Sequence, residues 1–149
     1  MVPRSPRLPF DGRCASPATT GAPIMSALAY EERDGKARYH GRTLSEWVPT
    51  VVDQIVEAAD PERVVLFGSI ARGDDGPDSD LDLMVVLDSI DYTRRRLEEA
   101  RLRASLEHSL LPVQIVVTDE RECRRRRDVV GSMHYWPLRE GLVVYARAP

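Results

Sequence analysis

Two short apolar runs, RVVLF at residues 63–67 and LDLMVVL at 81–87, constrain the fold of this chain more than any other feature. Each is too short for a buried helix, and runs of this length bounded by glycine and aspartate read as buried strands. A Gly-Ser step and a loop with four aspartates lie between them. Two further runs, VQIVVT at 113–118 and LVVYA at 142–146, extend the sheet. Helical patterns fill the gaps. TLSEWVPTVVDQIVEAAD opens on Thr43 and Glu46, a capping-box pair, and then spaces Leu44, Trp47, Val48, Val51, Val52, Ile55, Ala58 and Ala59 three and four apart. Pro49 must kink its first turns or move its start, because proline lacks the amide the ladder needs. Residues 91–110 form a helix with Leu102, Leu106 and Leu110 four apart; DERECRRRRDVV is helical up to Gly131, and MHYWPLREG adds a last turn or short helix. The order helix, strand, strand, helix, strand, helix, strand predicts an α/β (α+β) fold, a small mixed sheet flanked by helices in a single domain.

Residues 1–42 differ in character. Pro3, Pro6, Pro9, Pro17 and Pro23 fall there, with no helical or alternating apolar period, so the stretch reads as a disordered arm and 43–149 as the domain. The same composition makes Met25 a candidate start. With 42% hydrophobic and 30% charged residues and no apolar run approaching the ~18 residues of a membrane span, the chain reads as soluble. A formal charge of -3 disfavours a nucleic-acid partner. Cys14 and Cys123 lie far apart with no metal-type spacing, which fits free thiols in a reducing compartment, the cytoplasm.

The chemistry concentrates in residues 66–87. A strand that runs into Gly68 and Ser69 at a helix start offers backbone amides, a hydroxyl and the positive end of a helix dipole, all suited to a phosphate. In a strand, residues two apart share a side, so Asp80 and Asp82 project together while Leu81 and Leu83 turn into the core. Two carboxylates at that distance repel unless a cation neutralises them, and an all-oxygen site of this kind suits Mg2+, which also takes substrate phosphates as ligands. A phosphate cradle beside a metal pair is what phosphoryl or nucleotidyl transfer needs. Asp74, Asp75 and Asp78, with Gly76 and Pro77, read as a solvated turn. A calcium loop counted from Asp78 fails, since its sixth position is Leu83 where the turn needs glycine. His40, His108 and His134 share no spacing, and the arginine run at 124–127 reads as a solvated helix face or a protein interface.

The stretch GSIARGDDGPDSDLDLMVV resembles the signature of the DNA polymerase β-type nucleotidyltransferase superfamily in its minimal form: Gly-Ser, Ala-Arg-Gly, a loop, then Ser-Asp-x-Asp-Leu. More loosely, the likeness extends over residues 43–145. It implies a nucleotidyltransferase-like fold in which Gly68 and Ser69 hold the triphosphate of ATP, Asp80 and Asp82 bind two Mg2+ ions, and Arg72 either braces the loop or approaches the phosphates. The implied reaction transfers AMP to a hydroxyl acceptor with release of pyrophosphate. The family's usual third acid, on the next strand, falls at Gln114, which is neutral and cannot serve as a base. Asp119, five residues on, points to the other face of a regular strand. A lost metal-binding carboxylate costs several kcal/mol of transition-state stabilisation, so nucleotide binding is expected to survive better than turnover. About 105 residues leave no second domain for an acceptor. The resemblance therefore implies a small helical partner protein, as in toxin and antitoxin pairs, with an impaired, contact-acting antitoxin as the alternative.

Overall fold

The two apolar runs pair with each other directly. The computed structural model describes residues 30–106 and 110–149. In chain order these form β1 (Tyr30–Arg33), β2 (Lys36–Tyr39), β3 (Arg42–Thr43), α1 (Leu44–Ala59), β4 (Arg63–Phe67), α2 (Gly68–Arg72), β5 (Leu81–Leu87), α3 (Tyr92–Ser105), β6 (Val113–Asp119), α4 (Glu120–Arg126), α5 (Tyr135–Glu140) and β7 (Leu142–Ala146). The main sheet has the order β6-β5-β4-β7; β5 and β6 run parallel, and β4 is antiparallel to both β5 and β7. This is the small mixed sheet with helices on its faces that the sequence predicts.

Both faces of the sheet are covered, which explains why β4 and β5 are apolar at successive positions. On one face Leu66, Leu83 and Val85 pack with Val51 and Ile55 of α1 and Leu102 of α3. On the other, Val65, Met84 and Val86 pack with Cys123 of α4, and Leu138 of α5 lies against them. Leu81, Leu83, Met84, Val85 and Val86 are all fully buried. At ~1.5–3 kcal/mol for each such side chain, β5 is firmly held in register. That register fixes where Asp80 and Asp82 emerge.

Helix α1 begins where its capping box puts it: Thr43 N donates to Glu46 Oε2 at 2.7 Å and Glu46 N donates to Thr43 Oγ1 at 3.4 Å. A cap of this kind contributes ~1 kcal/mol, and the helix runs on through Pro49 with its start unmoved. Helix α3 ends at Ser105, short of the expected residue 110; His108 lies outside the described residues.

The predicted arm is corrected over its last part. Residues 30–43 form a three-stranded antiparallel sheet, β1-β2-β3. Its two turns carry positive φ at both central positions, Asp34 (54°) with Gly35 (72°) and His40 (51°) with Gly41 (76°), as tight hairpin turns require. All four residues of β1 are exposed, so no apolar alternation marked the strand. The meander is held to the domain by tertiary contacts instead: Trp47 Nε1 donates to the Tyr39 carbonyl at 2.8 Å, and the Arg42 guanidinium sits 4.2 Å from the centre of the Trp47 ring. Residues 1–29, with Cys14 and Met25, lie outside the described residues.

Candidate active site

At the end of β4 the backbone is extended at Phe67 and then turns through Gly68, whose φ of +73° starts α2. A Cβ at position 68 would stand 2.2 Å from Asp82 Oδ2, so only glycine lets the two strands' ends approach this closely. The approach follows from the register, since Phe67 faces Asp82 across the antiparallel β4–β5 pair. On the other side of β5, Asp82 faces Gln114 across the parallel β5–β6 pair. Paired residues on neighbouring strands share a sheet face, so Asp82 and Gln114 lie side by side. Asp80 is exposed just before β5, where Leu81 N donates to the Pro112 carbonyl at 2.8 Å.

The electrostatics of this cluster are those of crowded acids. Burial raises the Asp82 carboxyl above its ordinary range, the Asp80 charge raises it further, and Arg72 pulls it back. The Tyr39 phenol is also pushed up, first by burial, then by Tyr30, Asp80 and Asp78. The meander therefore reaches the acidic cluster. Asp75, expected to be solvated, has a side chain only 6% exposed and pairs with Lys36 Nζ of β2 at 2.8 Å. Arg72 Nε lies 3.2 Å from Asp74 Oδ2, and its charge also acts on Asp82. Ser69 Oγ donates to Ser79 Oγ at 3.0 Å, and Ser79 Oγ accepts from Gly76 N at 2.9 Å, which ties the start of α2 to the loop.

Sequence positions 47–135 match the nucleotidyltransferase domain family. The chain belongs to this family. A solved structure of a candidate nucleotidyltransferase from Sulfolobus solfataricus superposes with a TM-score of 0.52 at 21% identity, over 70% of this chain and 81% of that one, and so shares the fold. A toxin-antitoxin structure with AMP-PNP is looser, with a TM-score of 0.41 and 20% identity over 66% of this chain and 73% of that one. No curated protein matches the sequence.

Within this nucleotidyltransferase domain the structure brings Gly68, Asp80, Asp82 and Gln114 to one end of the sheet, with Ser69 and Arg72 on the adjoining α2. Asp119 sits at the far end of β6, opposite Leu87, where it caps α4 by accepting from Glu122 N at 2.8 Å. Among the described residues, no group of three or more His, Cys, Asp or Glu could hold a metal ion. His134 is buried against Thr118, 2.7 Å away, and His40 lies in the hairpin turn before β3. In the arginine run, Arg125 and Arg126 pair with Glu122 at 2.6 Å and 2.8 Å, a solvated helix face. Lys36, Tyr39 and Ser79 were missed as neighbours of the site. A signal for the first two existed in the Asp34-Gly35 step, a strong hairpin marker.

Proposed function

We propose that this nucleotidyltransferase domain transfers AMP from ATP to a hydroxyl on a separate partner protein. The observation that carries the proposal is the convergence at one sheet end of a glycine turn, Gly68, with two carboxylates, Asp80 and Asp82, the second of which is raised above its ordinary range first by burial and then by the Asp80 charge. That setting fits a divalent cation, and hard carboxylate oxygens fit Mg2+. Asp80 and Asp82 would hold the ion or ion pair, which supplies charge neutralisation across the phosphates during displacement at phosphorus. Gly68 and Ser69 would cradle the triphosphate through backbone amides and the Ser69 hydroxyl, and Arg72 would keep the loop in shape through Asp74. In the reaction the acceptor hydroxyl releases its proton to solvent as its oxygen bonds to the α-phosphorus, the bond from that phosphorus to the bridging oxygen breaks, and pyrophosphate leaves with the electron pair. Among the described residues no helix is long and apolar enough to cross a membrane, and buried, free Cys123 supports a reducing compartment, the cytoplasm.

A second reading is favoured by one observation, the neutral Gln114 beside Asp82: the chain binds nucleotide and acts on its partner by contact. Turnover separates the two. Calorimetry of ATP binding with and without Mg2+ is expected to show tighter binding with the metal, and Asp80→Asn with Asp82→Asn is expected to remove that dependence while the unfolding midpoint holds. Equal ATP affinity in all four conditions would sink the metal assignment.

A further inference from the structure

A cavity of about 400 Å3 opens beside the Gly68 turn, lined by Phe67, Gly68, Arg72, Trp136 and Glu140. Its size lies within the roughly 300–1,000 Å3 of small-molecule sites. Trp136 and Glu140 stand just beyond the residues that match the family, 47–135, so that match assigns them nothing.

Trp136 is 57% exposed, an indole left largely in water next to the turn. It does not hang loose. Its ring meets Tyr135 edge-on at 5.1 Å, Arg139 lies 4.6 Å from the centre of the Tyr135 ring, and Arg139 pairs with Asp128 at 3.2 Å. The C-terminal end of α5 is pressed onto β4, because a Cβ at Gly141 would fall 2.4 Å from Val65 Cγ1 and 2.2 Å from the Pro137 carbonyl oxygen. An oriented, exposed aromatic face suits a flat ring. The Glu140 carboxylate has no ion-pair or hydrogen-bond partner among the described residues. As an acceptor-only group it selects a ligand edge that donates.

We propose that this cavity binds the base of the nucleotide, with Trp136 stacked on an adenine ring and Glu140 accepting a hydrogen bond from its exocyclic amino group. The inference rests on the reading of the Gly68 turn as the triphosphate cradle. It predicts discrimination: inosine carries a carbonyl where adenine carries the amino group, so ITP would set two acceptors against each other at Glu140.

The test measures Mg2+-dependent binding of ATP, ITP and inorganic tripolyphosphate to the full chain by calorimetry. Trp136→Ala is expected to weaken ATP about tenfold, the usual order for a lost base-aromatic stack, and to leave tripolyphosphate unchanged. Trp136→Phe, which keeps a stacking ring, is expected to retain most of the ATP affinity. Glu140→Gln is expected to reduce the ATP-to-ITP preference, since an amide can donate to the inosine carbonyl. If wild type binds ATP and tripolyphosphate but both Trp136→Ala and Glu140→Gln match it for every ligand, the base pocket is overturned and the phosphate cradle stands. If wild type binds neither ATP nor tripolyphosphate with Mg2+, the cradle reading fails and this inference falls with it.

Discussion

At Gly68 two separate constraints meet, a φ of +73° and a gap of 2.2 Å between a would-be Cβ and Asp82 Oδ2. Gly68→Ala is therefore expected to destabilise the fold by ~1–2 kcal/mol through backbone strain and to push the Asp82 carboxylate out of place. Urea midpoints would report the first effect and Mg2+-dependent ATP affinity the second; wild-type affinity in the variant would remove the close approach from the site. His134 is another residue whose surroundings dictate a measurable behaviour. It is 1% exposed, its Nε2 is 2.7 Å from Thr118 Oγ1, and its Nδ1 has no partner. Burial lowers its pKa below the ordinary 6.5; Glu122 and Asp119 pull upward, while Arg95 and Arg126 push the same way as burial. The unfolded chain thus takes up a proton near pH 6.5 that the folded chain resists. Stability from this residue is full above that pH and falls as the pH drops below it, by at most ~1.4 kcal/mol per pH unit. Urea unfolding between pH 7.5 and 5.5 should show this slope, and His134→Gln should flatten it. The lowered carboxylates Glu46 and Glu122 act closer to their ordinary 4.5, outside that window.

Among the elements, the β1-β2-β3 meander carries few apolar residues and touches the acidic loop through Lys36. Lys36 on β2 holds Asp75, and the loop from Asp75 leads straight to Asp80 and β5. Lys36→Met strands a carboxylate that is only 6% exposed, for an expected loss of about 1–2 kcal/mol, moderated because the lysine itself is 41% exposed. ATP affinity in Mg2+ should fall with it. Adding Asp75→Leu should recover part of the stability, and strictly additive losses in the double-mutant cycle would mean that the pair does not couple. The meander also marks the limit of what periodicity could reveal. Strands β4, β5 and β6 were legible because burial on both faces demands unbroken apolar runs, and α1 because one stripe faces the core and Thr43 caps it. Strand β1 buries nothing, and β2 buries Ala37 alone, so both were invisible to hydropathy and legible only through their turns. At the site, Asp80 and Asp82 were legible from strand alternation and Gly68 from the strand-to-helix turn, whereas Gln114 came only through the family resemblance, since its pairing with Asp82 joins strands far apart in sequence. The burial of Asp75 was not legible, because it depends on a lysine 39 positions away.

Across the whole molecule, the decisive feature is the sheet order β6-β5-β4-β7, which sets Gln114 next to Asp82 and sends Asp119 to the opposite end as a helix cap. No other acid among the described residues completes a three-acid group there. The described fold is a four-stranded sheet with its helices and a three-stranded meander, and in the proposed reaction an acceptor hydroxyl brought by another molecule would meet the α-phosphorus at this open end. Gln114 is exposed on β6, and exchanging it for a carboxylate of one fewer methylene creates no buried charge. Gln114→Asp is therefore expected to leave folding intact, to tighten Mg2+ binding, and to raise transfer by about tenfold or more, because a general base contributes roughly 100- to 10,000-fold where it acts fully. The assay is incorporation of α-labelled ATP into the partner protein, or into the chain itself when no partner is supplied, for wild type, Gln114→Asp and the Asp80→Asn control. Robust wild-type transfer that Gln114→Asp leaves unchanged or lowers would mean that glutamine is no defect and that the proton leaves to the acceptor, to solvent or to another side chain. Tight Mg2+-dependent ATP binding with no transfer by either protein would favour action by contact, with the nucleotide retained as a bound ligand rather than consumed.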